Sequence, residues 1–386
     1  MLKQKNNLLN TYYIFTTFHY LCKIKTYSTM KKTFVLTALL VLIAIGANAQ
    51  EKKYQLFGIG FYNLENLFDT CHDEGHNDYE YLPDGRNKWS GLKYTHKLQN
   101  MARALADMGT DRLPMGCAAI GVSEVENAKC LTDLCNQEPL KQRNMQFVHI
   151  EGPDQRGVDC ALLYNPALFK VNDVELVPYV YIKPEDAQRA TRGFLTVRGT
   201  MAGENVTIIV NHLPSRFAGS FYREEGGRQL HELKDRLMAE DPDMKILIMG
   251  DMNDDPQDKS MAEALGAHRK IKDVEPGGLW NPWWDVLKSG TGTLQYDGGW
   301  NLFDQIILSQ SLLDKHGMKS GKPVDLKKID TSTLKYYSHQ IFRRDYLFQR
   351  DGKYKGNMLR THAGGVWLDG YSDHLPTIVY LIKEAQ

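Results

Sequence analysis

Ile246-Leu247-Ile248-Met249-Gly250-Asp251-Met252-Asn253-Asp254-Asp255-Pro256 sets four apolar residues against a glycine and then packs three acids and an amide into five positions. An apolar run that stops at turn-forming residues reads as a buried strand ending in a loop. Acids at such an end either shape the turn or form a site, and the rest of the chain bears on which.

Outward from this stretch the same arrangement recurs. Phe61-Tyr62-Asn63-Leu64-Glu65-Asn66 closes an apolar run at 58–62, Ser123-Glu124-Val125-Glu126-Asn127 closes one at 118–122, and Asn211-His212-Leu213-Pro214-Ser215-Arg216 follows one at 206–210. Phe303-Asp304 opens a run at 305–308, and Ser372-Asp373-His374 precedes one at 377–381. Each motif alone is weak, since a D-x-N triplet arises about once by chance in a chain of this size. Gathered along one sheet edge, they supply hard oxygen ligands for Mg²⁺ or Mn²⁺ and two imidazoles for proton handling.

Further strands are expected at 161–164, 194–198 and 245–249. Helices are expected at 94–108, where Leu98, Met101, Leu105 and Met108 share a face, and at 224–239, where Leu230, Leu233 and Leu237 do. Many strands with few helices predict layered sheets faced by helices. A single domain over 50–386 is expected, because no low-complexity linker or internal repeat divides it. The long connections at 72–90 and 273–300, rich in Gly, Asp, Asn, Trp and Tyr, are the expected functional surface loops.

Ahead of this domain, Met30-Lys31-Lys32, an apolar stretch at 33–45 and Ala47-Asn48-Ala49 follow the charged, apolar, small-residue order of a secretory signal. The apolar stretch is shorter than the roughly 20 residues of a spanning helix. A signal peptide at 30–49, cleavage after Ala49 and a secreted or periplasmic product without a stable membrane anchor are therefore expected. Residues 1–29 are expected to be untranslated or unstructured.

The whole chain is electrically balanced, with 47 basic and 47 acidic side chains. Residues 1–49 hold six lysines and no acid, so the product carries 41 basic against 47 acidic groups, a formal charge of −6. Bulk charge does not steer such a protein to nucleic acid, and any polyanion must be held by a local basic cluster or by bound cations. Five cysteines remain in the product, at 71, 117, 130, 135 and 160. An odd number implies no disulfide framework, and Cys130 and Cys135 read as core residues of a helix.

The ordered set N-x-E, S-E, N-H-x-P-S-R, G-D-x-N, D-Q and S-D-H, spread from about Phe57 to Tyr380, resembles the endonuclease/exonuclease/phosphatase superfamily of deoxyribonuclease I-like, metal-dependent phosphoesterases. The resemblance implies an α/β fold, a four-layer α/β/β/α sandwich of two mainly antiparallel sheets flanked by helices. Carried over position by position, it implies metal ligation by Glu124, with Asn63 and Glu65 beside it, and a metal and water shell completed by Asp373. Asp251 and Asn253 would orient the attacking water and the phosphate. Asp304 would hold the imidazole of His374, and His212 would face the leaving group or a phosphate oxygen. Asp159 resembles the acid that in some branches partners the histidine of the N-H-x-P element, here His212.

Chemistry gives separate reasons for these residue types. Attack on a phosphodiester needs its non-bridging oxygens neutralised, a water activated and a leaving group stabilised. A cation, a carboxylate and a carboxylate-oriented histidine supply these. Arg216 is a candidate phosphate clamp, because a guanidinium matches phosphate oxygens with paired donors.

Other readings compete at single positions. Asn63, Asp251 and Asn253 also suit Asx turns, and Asp304 or His374 alone suits a satisfied buried polar group. Lys93, His96, Lys97 and Arg103 read as the solvated face of their helix. Trp280, Trp283, Trp284, Trp300 and Tyr296 either stack on bases or pack beneath their loop. The expected function is an exported Mg²⁺- or Mn²⁺-dependent nuclease of low sequence selectivity, which binds nucleic acid weakly through its phosphates and needs no obligate protein partner. A phosphatase or phosphodiesterase of phosphoinositides, phospholipid head groups or small phosphoesters is the alternative on the same fold, and a non-catalytic secreted binding protein is the other.

Overall fold

The computed structural model describes residues 52–385 apart from Ala187 and Asp297, so the expected signal peptide lies outside the described residues. One sheet has the order β14 (Lys335–Ile341), β17 (Thr377–Glu384), β1 (Tyr54–Leu67), β2 (Ala119–Val125), β4 (Asp159–Tyr164), β3 (Gln146–His149). The other has the order β5 (Lys170–Val177), β6 (Phe194–Met201), β7 (Glu204–His212), β8 (Lys245–Asp251), β13 (Asp304–Ser309), β10 (Leu279–Trp280), β9 (Ala267–His268). β11 (Leu294–Tyr296) with β12 (Gly299–Asn301), and β15 (His362–Ala363) with β16 (Val366–Trp367), form two small hairpins. Antiparallel pairs dominate both large sheets, with β1–β2, β7–β8 and β9–β10 parallel.

The alternation of strand side chains builds the layers. Phe57, Ile59 and Phe61 of β1 share one buried core with Val206, Ile208 and Val210 of β7, Leu247 and Met249 of β8, and Ile306 and Leu308 of β13. This core lies between the sheets. On the outer face of the first sheet, Tyr62, Leu64, Ile120 and Val122 pack with Leu98, Met101 and Leu105 of α1 (Gly91–Asp107). Cys130 of α2 (Ala128–Cys135), a helix capped by Asn127 Oδ1 accepting from the Cys130 N–H at 3.0 Å, is buried in the same cluster. On the outer face of the second sheet, Ile209, Ile246, Ile248 and Ile307 pack with Leu230, Leu233 and Leu237 of α3 (Ser220–Glu240). The architecture is the four-layer α/β/β/α sandwich.

Every strand and helix expected from apolar periodicity is present, most of them longer at one or both ends. β5 and β14 had no such signal, because their side chains are mostly half-buried or exposed and form no continuous apolar run. Trp280 and Trp283 belong to the inter-sheet core, with indole N–H groups donating to the carbonyls of Arg269 and Ile306. The charged face of α1 is a correction. Lys97 is buried, His96 pairs with Asp369, and the Arg103 guanidinium lies 4.0 Å from the Tyr346 ring centroid, so the 342–371 excursion covers part of this face. Among the described residues no helix is long and apolar enough to cross a membrane.

Gly250 is required by neighbouring backbone rather than by a turn. A Cβ at this position would stand 2.1 Å from the Asn211 carbonyl oxygen on β7. Gly250→Ala must push β7 and β8 apart, at a cost of about 1–3 kcal/mol. Chemical denaturation should show this loss, and a variant as stable as the parent would contradict the close packing.

Candidate active site

The strands carry their apolar alternation past the end of the inter-sheet core, and polar side chains take over on the same face. Asp251 continues the face of Leu247 and Met249, Asp304 that of Ile306, and Asn63 that of Phe61. Register then lines them up across strands, since Asp251 pairs with His212 on one side and with Asp304 on the other.

Asp251 is the meeting point. Its Oδ2 accepts from Asn63 Nδ2 at 3.0 Å, across the gap between the sheets, and faces His212 Nε2 at 3.6 Å and His374 Nε2 at 3.7 Å. Its Oδ1 accepts the Asn253 N–H at 2.9 Å. Burial raises its carboxyl above the usual aspartate range, while His374 opposes the rise.

The two imidazoles are held in different states. His374 lies 2.8 Å through Nδ1 from Asp304 Oδ2. Burial disfavours its charge, yet Asp304 and then Asp251 outweigh burial and hold it well above the ordinary histidine value. Burial pushes His212 well below that value, with Arg192, Arg156 and His374 adding to the effect. Its Nε2 faces Asp251 and Glu124, and its buried Nδ1 has no hydrogen-bond partner. The surroundings thus favour the protonated form of His374 and the neutral form of His212.

Glu124 reaches the site through a bulge. Val125 faces the helix layer as Val122 does, so the register breaks between Ser123 and Val125, and Glu124 takes a φ of 60°. Its Oε2 accepts the Asn66 N–H at 3.0 Å, while Oε1 faces Arg156 Nη2 at 3.7 Å and His212 Nε2 at 3.9 Å. β1 breaks register between Asn63 and Leu67, where Glu65 and Asn66 have φ of 49° and 57°. Left-handed backbone at these non-glycine residues, and at Asn253 with a φ of 50°, is strain collected at the site.

Glu65 and Asp373 are bridged by an arginine. Arg360 donates to Glu65 Oε1 through Nε and lies against Asp373 Oδ2 through Nη2, both at 2.8 Å, and the Thr361 N–H donates to Glu65 Oε2 at 2.8 Å. Burial and then Asp373 raise the Glu65 carboxyl, against Lys97 and Arg360. Asp373 and His374 are anchored by Ser372, whose hydroxyl donates to the Asn63 carbonyl at 2.7 Å.

A family model described as the Endonuclease/Exonuclease/phosphatase family matches residues 58–383. The chain belongs to this family. It is accordingly a hydrolase of phosphate esters, and the family is divalent-metal dependent. No curated protein matches the chain. Among solved structures it is similar to an endonuclease/exonuclease/phosphatase family protein of Bacteroides thetaiotaomicron, at 15% identity over 86% of this chain and 97% of that one, with a TM-score of 0.49. It is also similar to a mannosyl-6-phosphatase of Bacteroides thetaiotaomicron, at 15% identity over 84% and 99%, with a TM-score of 0.48. A humanized D. rerio TDP2 is similar at 14% identity over 84% and 98%, with a TM-score of 0.48.

The donor set of this phosphoesterase fits a divalent cation. Glu124 Oε1 is outside hydrogen-bond distance of the two groups it faces, Asn63 Oδ1 keeps a lone pair beyond the Glu65 N–H it accepts, and Asp373 Oδ1 lies 4.0 Å from His374 Nε2, all hard oxygens. Asp251, Asp304 and His374 also converge within 4.8 Å. The His374–Asp304 bond already occupies that trio, which is better suited to proton handling than to ligation.

Two expected roles need correction. Asp159 partners His149 Nε2 at 2.9 Å and the Gly152 N–H at 3.0 Å rather than His212, because β3 and β4 place His149 beside it. Arg216 does not stand free to clamp phosphate. Asp255 and Asp258 lie at 3.2 and 3.1 Å from its Nη2, Asp254 at 3.5 Å from its Nε, and its Nη1 donates to Asn301, so its charge braces the loop that follows β8. Asn253 keeps its place beside Asp251 but donates its amide to the Leu213 carbonyl. Arg156 and Arg360 are the cations that sequence reading missed, and Lys97 is one it placed on a solvated face. Arg156 stands three residues before Asp159, at the start of Arg156-Gly157-Val158-Asp159, whereas nothing in the local sequence marks Arg360.

Asp304→Asn removes the charge that holds His374 protonated. Its imidazole value should fall on NMR titration of the metal-free protein, and turnover should drop about 100-fold. The raised His374 value contributes stability that is complete below the unfolded value of about 6.5 and is lost as pH rises through the folded value. The parent should therefore lose stability over that alkaline window, and the folded variant should lose less.

Proposed function

We propose that the chain is an exported nuclease that hydrolyses nucleic-acid phosphodiester bonds with low sequence selectivity. The observation that carries the hydrolytic reading is the setting of Asp251 Oδ2 between His374 Nε2 at 3.7 Å and His212 Nε2 at 3.6 Å, with Glu124 Oε1 3.9 Å from the same His212 nitrogen. Glu124, with Asn63 and Asp373, would hold Mg²⁺ or Mn²⁺, which when bound neutralises phosphate oxygens.

The protein's own groups do the rest. Asp251, its carboxyl raised by burial, accepts the proton of the attacking water. His374, kept charged by Asp304, faces the phosphoryl oxygens as they gain negative charge. His212, with Nε2 turned toward two carboxylates, offers that nitrogen's N–H as a hydrogen bond to the leaving group or a phosphate oxygen, and the departing oxygen takes its proton from solvent.

Nucleic acid as substrate is supported by the rim. Arg156 has a side chain 47% exposed and stands 3.7 Å from Glu124, outside hydrogen-bond distance, which suits phosphate contacts without base readout. Export supports the same substrate, because an enzyme outside the cytosol meets nucleic acid as nutrient or debris.

Residues 50–386 supplied with Mg²⁺ or Mn²⁺ should degrade plasmid DNA without a preferred cutting sequence and lose all activity in excess EDTA. Glu124→Gln should lose both metal affinity and rate. Intact plasmid alongside rapid release of phosphate from a small ester or lipid head group would replace the nuclease with the phosphatase reading, and full activity in EDTA would remove the metal. Export has its own test. Mass spectrometry of the protein from its native host should find Gln50 at the N-terminus, and retention of residues 33–45 would refute secretion by a cleaved signal.

A further inference from the structure

We infer that Lys97 is a positioning residue for the reaction, its buried ammonium fixing the 361–373 segment that holds the Glu65 carboxylate and carries Asp373. The inference rests on the phosphoesterase reading of that site. Lys97 lies within α1 and is only 2% exposed. Among the described residues no carboxylate lies within 4.0 Å of its Nζ, so it is not one half of an ordinary ion pair.

Its ammonium instead donates to the Thr361 hydroxyl at 2.6 Å and to the Tyr371 carbonyl at 2.5 Å. Both acceptors belong to the segment that completes the site. The Thr361 N–H holds Glu65 Oε2, and Tyr371 directly precedes Ser372, which anchors to Asn63, and then Asp373 and His374. One side chain therefore ties the two ends of this segment to the helix layer.

Charge points the same way. A lone ammonium among Leu98, Met101 and their apolar neighbours is costly unless negative charge compensates it. The negative charges that bear on Lys97 are Glu65, Asp373 and Glu124. Asp373 disfavours the charge of Glu65, and Lys97 opposes that effect. A methionine of similar length would fill the space and supply neither the charge nor the donors.

The test compares the parent with Lys97→Met and Lys97→Arg, reading the thermal melt, Mn²⁺ affinity by calorimetry, and kcat and KM on bis-p-nitrophenyl phosphate. Lys97→Met should fold, bind Mn²⁺ about 10- to 100-fold more weakly and lose kcat by a similar factor with little change in KM. Lys97→Arg, which keeps the charge, should recover most of the Mn²⁺ affinity. A folded Lys97→Met with the parent's Mn²⁺ affinity and kcat would overturn the inference, as would an arginine variant no better than the methionine one. Should Lys97→Met fail to fold, Thr361→Val removes one acceptor while leaving the ammonium in place, and unchanged Mn²⁺ affinity in that variant would overturn it. A parent that binds Mn²⁺ and hydrolyses no phosphoester would refute the phosphoesterase reading, while the Mn²⁺ affinities of the variants would still decide the role of Lys97.

Discussion

The hydrogen bond from Asn63 to Asp251, 3.0 Å long and buried, joins the two sheets at the point where their shared apolar core ends. Everything in the site is set relative to it. Asp251 has His212 and Asp304 as its cross-strand neighbours, and Asn63 is tied through its own carbonyl to Ser372 and so to Asp373 and His374. A slip of one residue in β7, β8 or β13 would turn its polar end toward the helix layers. The large apolar core on one side of this bond prevents that slip, and in this sense packing between the sheets sets the chemistry.

Packing also bears the strain of the site. Glu65, Asn66, Glu124 and Asn253 sit in left-handed backbone that costs about 1–3 kcal/mol each for such residues. The bulges that produce it free Glu124 from the strand alternation that would otherwise bury it under α1. Two continuous strands, held by neighbours on both sides, over-determine those positions.

Electrostatics around the site follow from burial more than from formal charge. Two histidines on strand ends or beside them take opposite states because one has a buried carboxylate on its Nδ1 and the other has none. Arginines likewise divide by partner. Arg216 pairs with three aspartates of the loop after β8 and Arg360 with Glu65 and Asp373, whereas Arg156 stands half-exposed 3.7 Å from Glu124.

The sequence by itself determined the strands and helices whose apolar runs were continuous, and with them the layering, because period-2 and helical spacing state directly which face is buried. It also determined the polar types at the strand ends, since Asn63, Glu124, His212 and Asp251 stand where an apolar run stops and Asp304 and His374 where one is about to start. Only the tertiary structure decided the partners. Asp159 meets His149 because the β3–β4 register puts them side by side, Arg216 meets the aspartates of a loop some 40 residues away, and Lys97 is buried because the 342–371 excursion folds over a helix face that its own sequence marks as charged. Spacing along a chain reports a residue's face; who stands opposite depends on how strands, loops and helices are brought together, which no local pattern encodes.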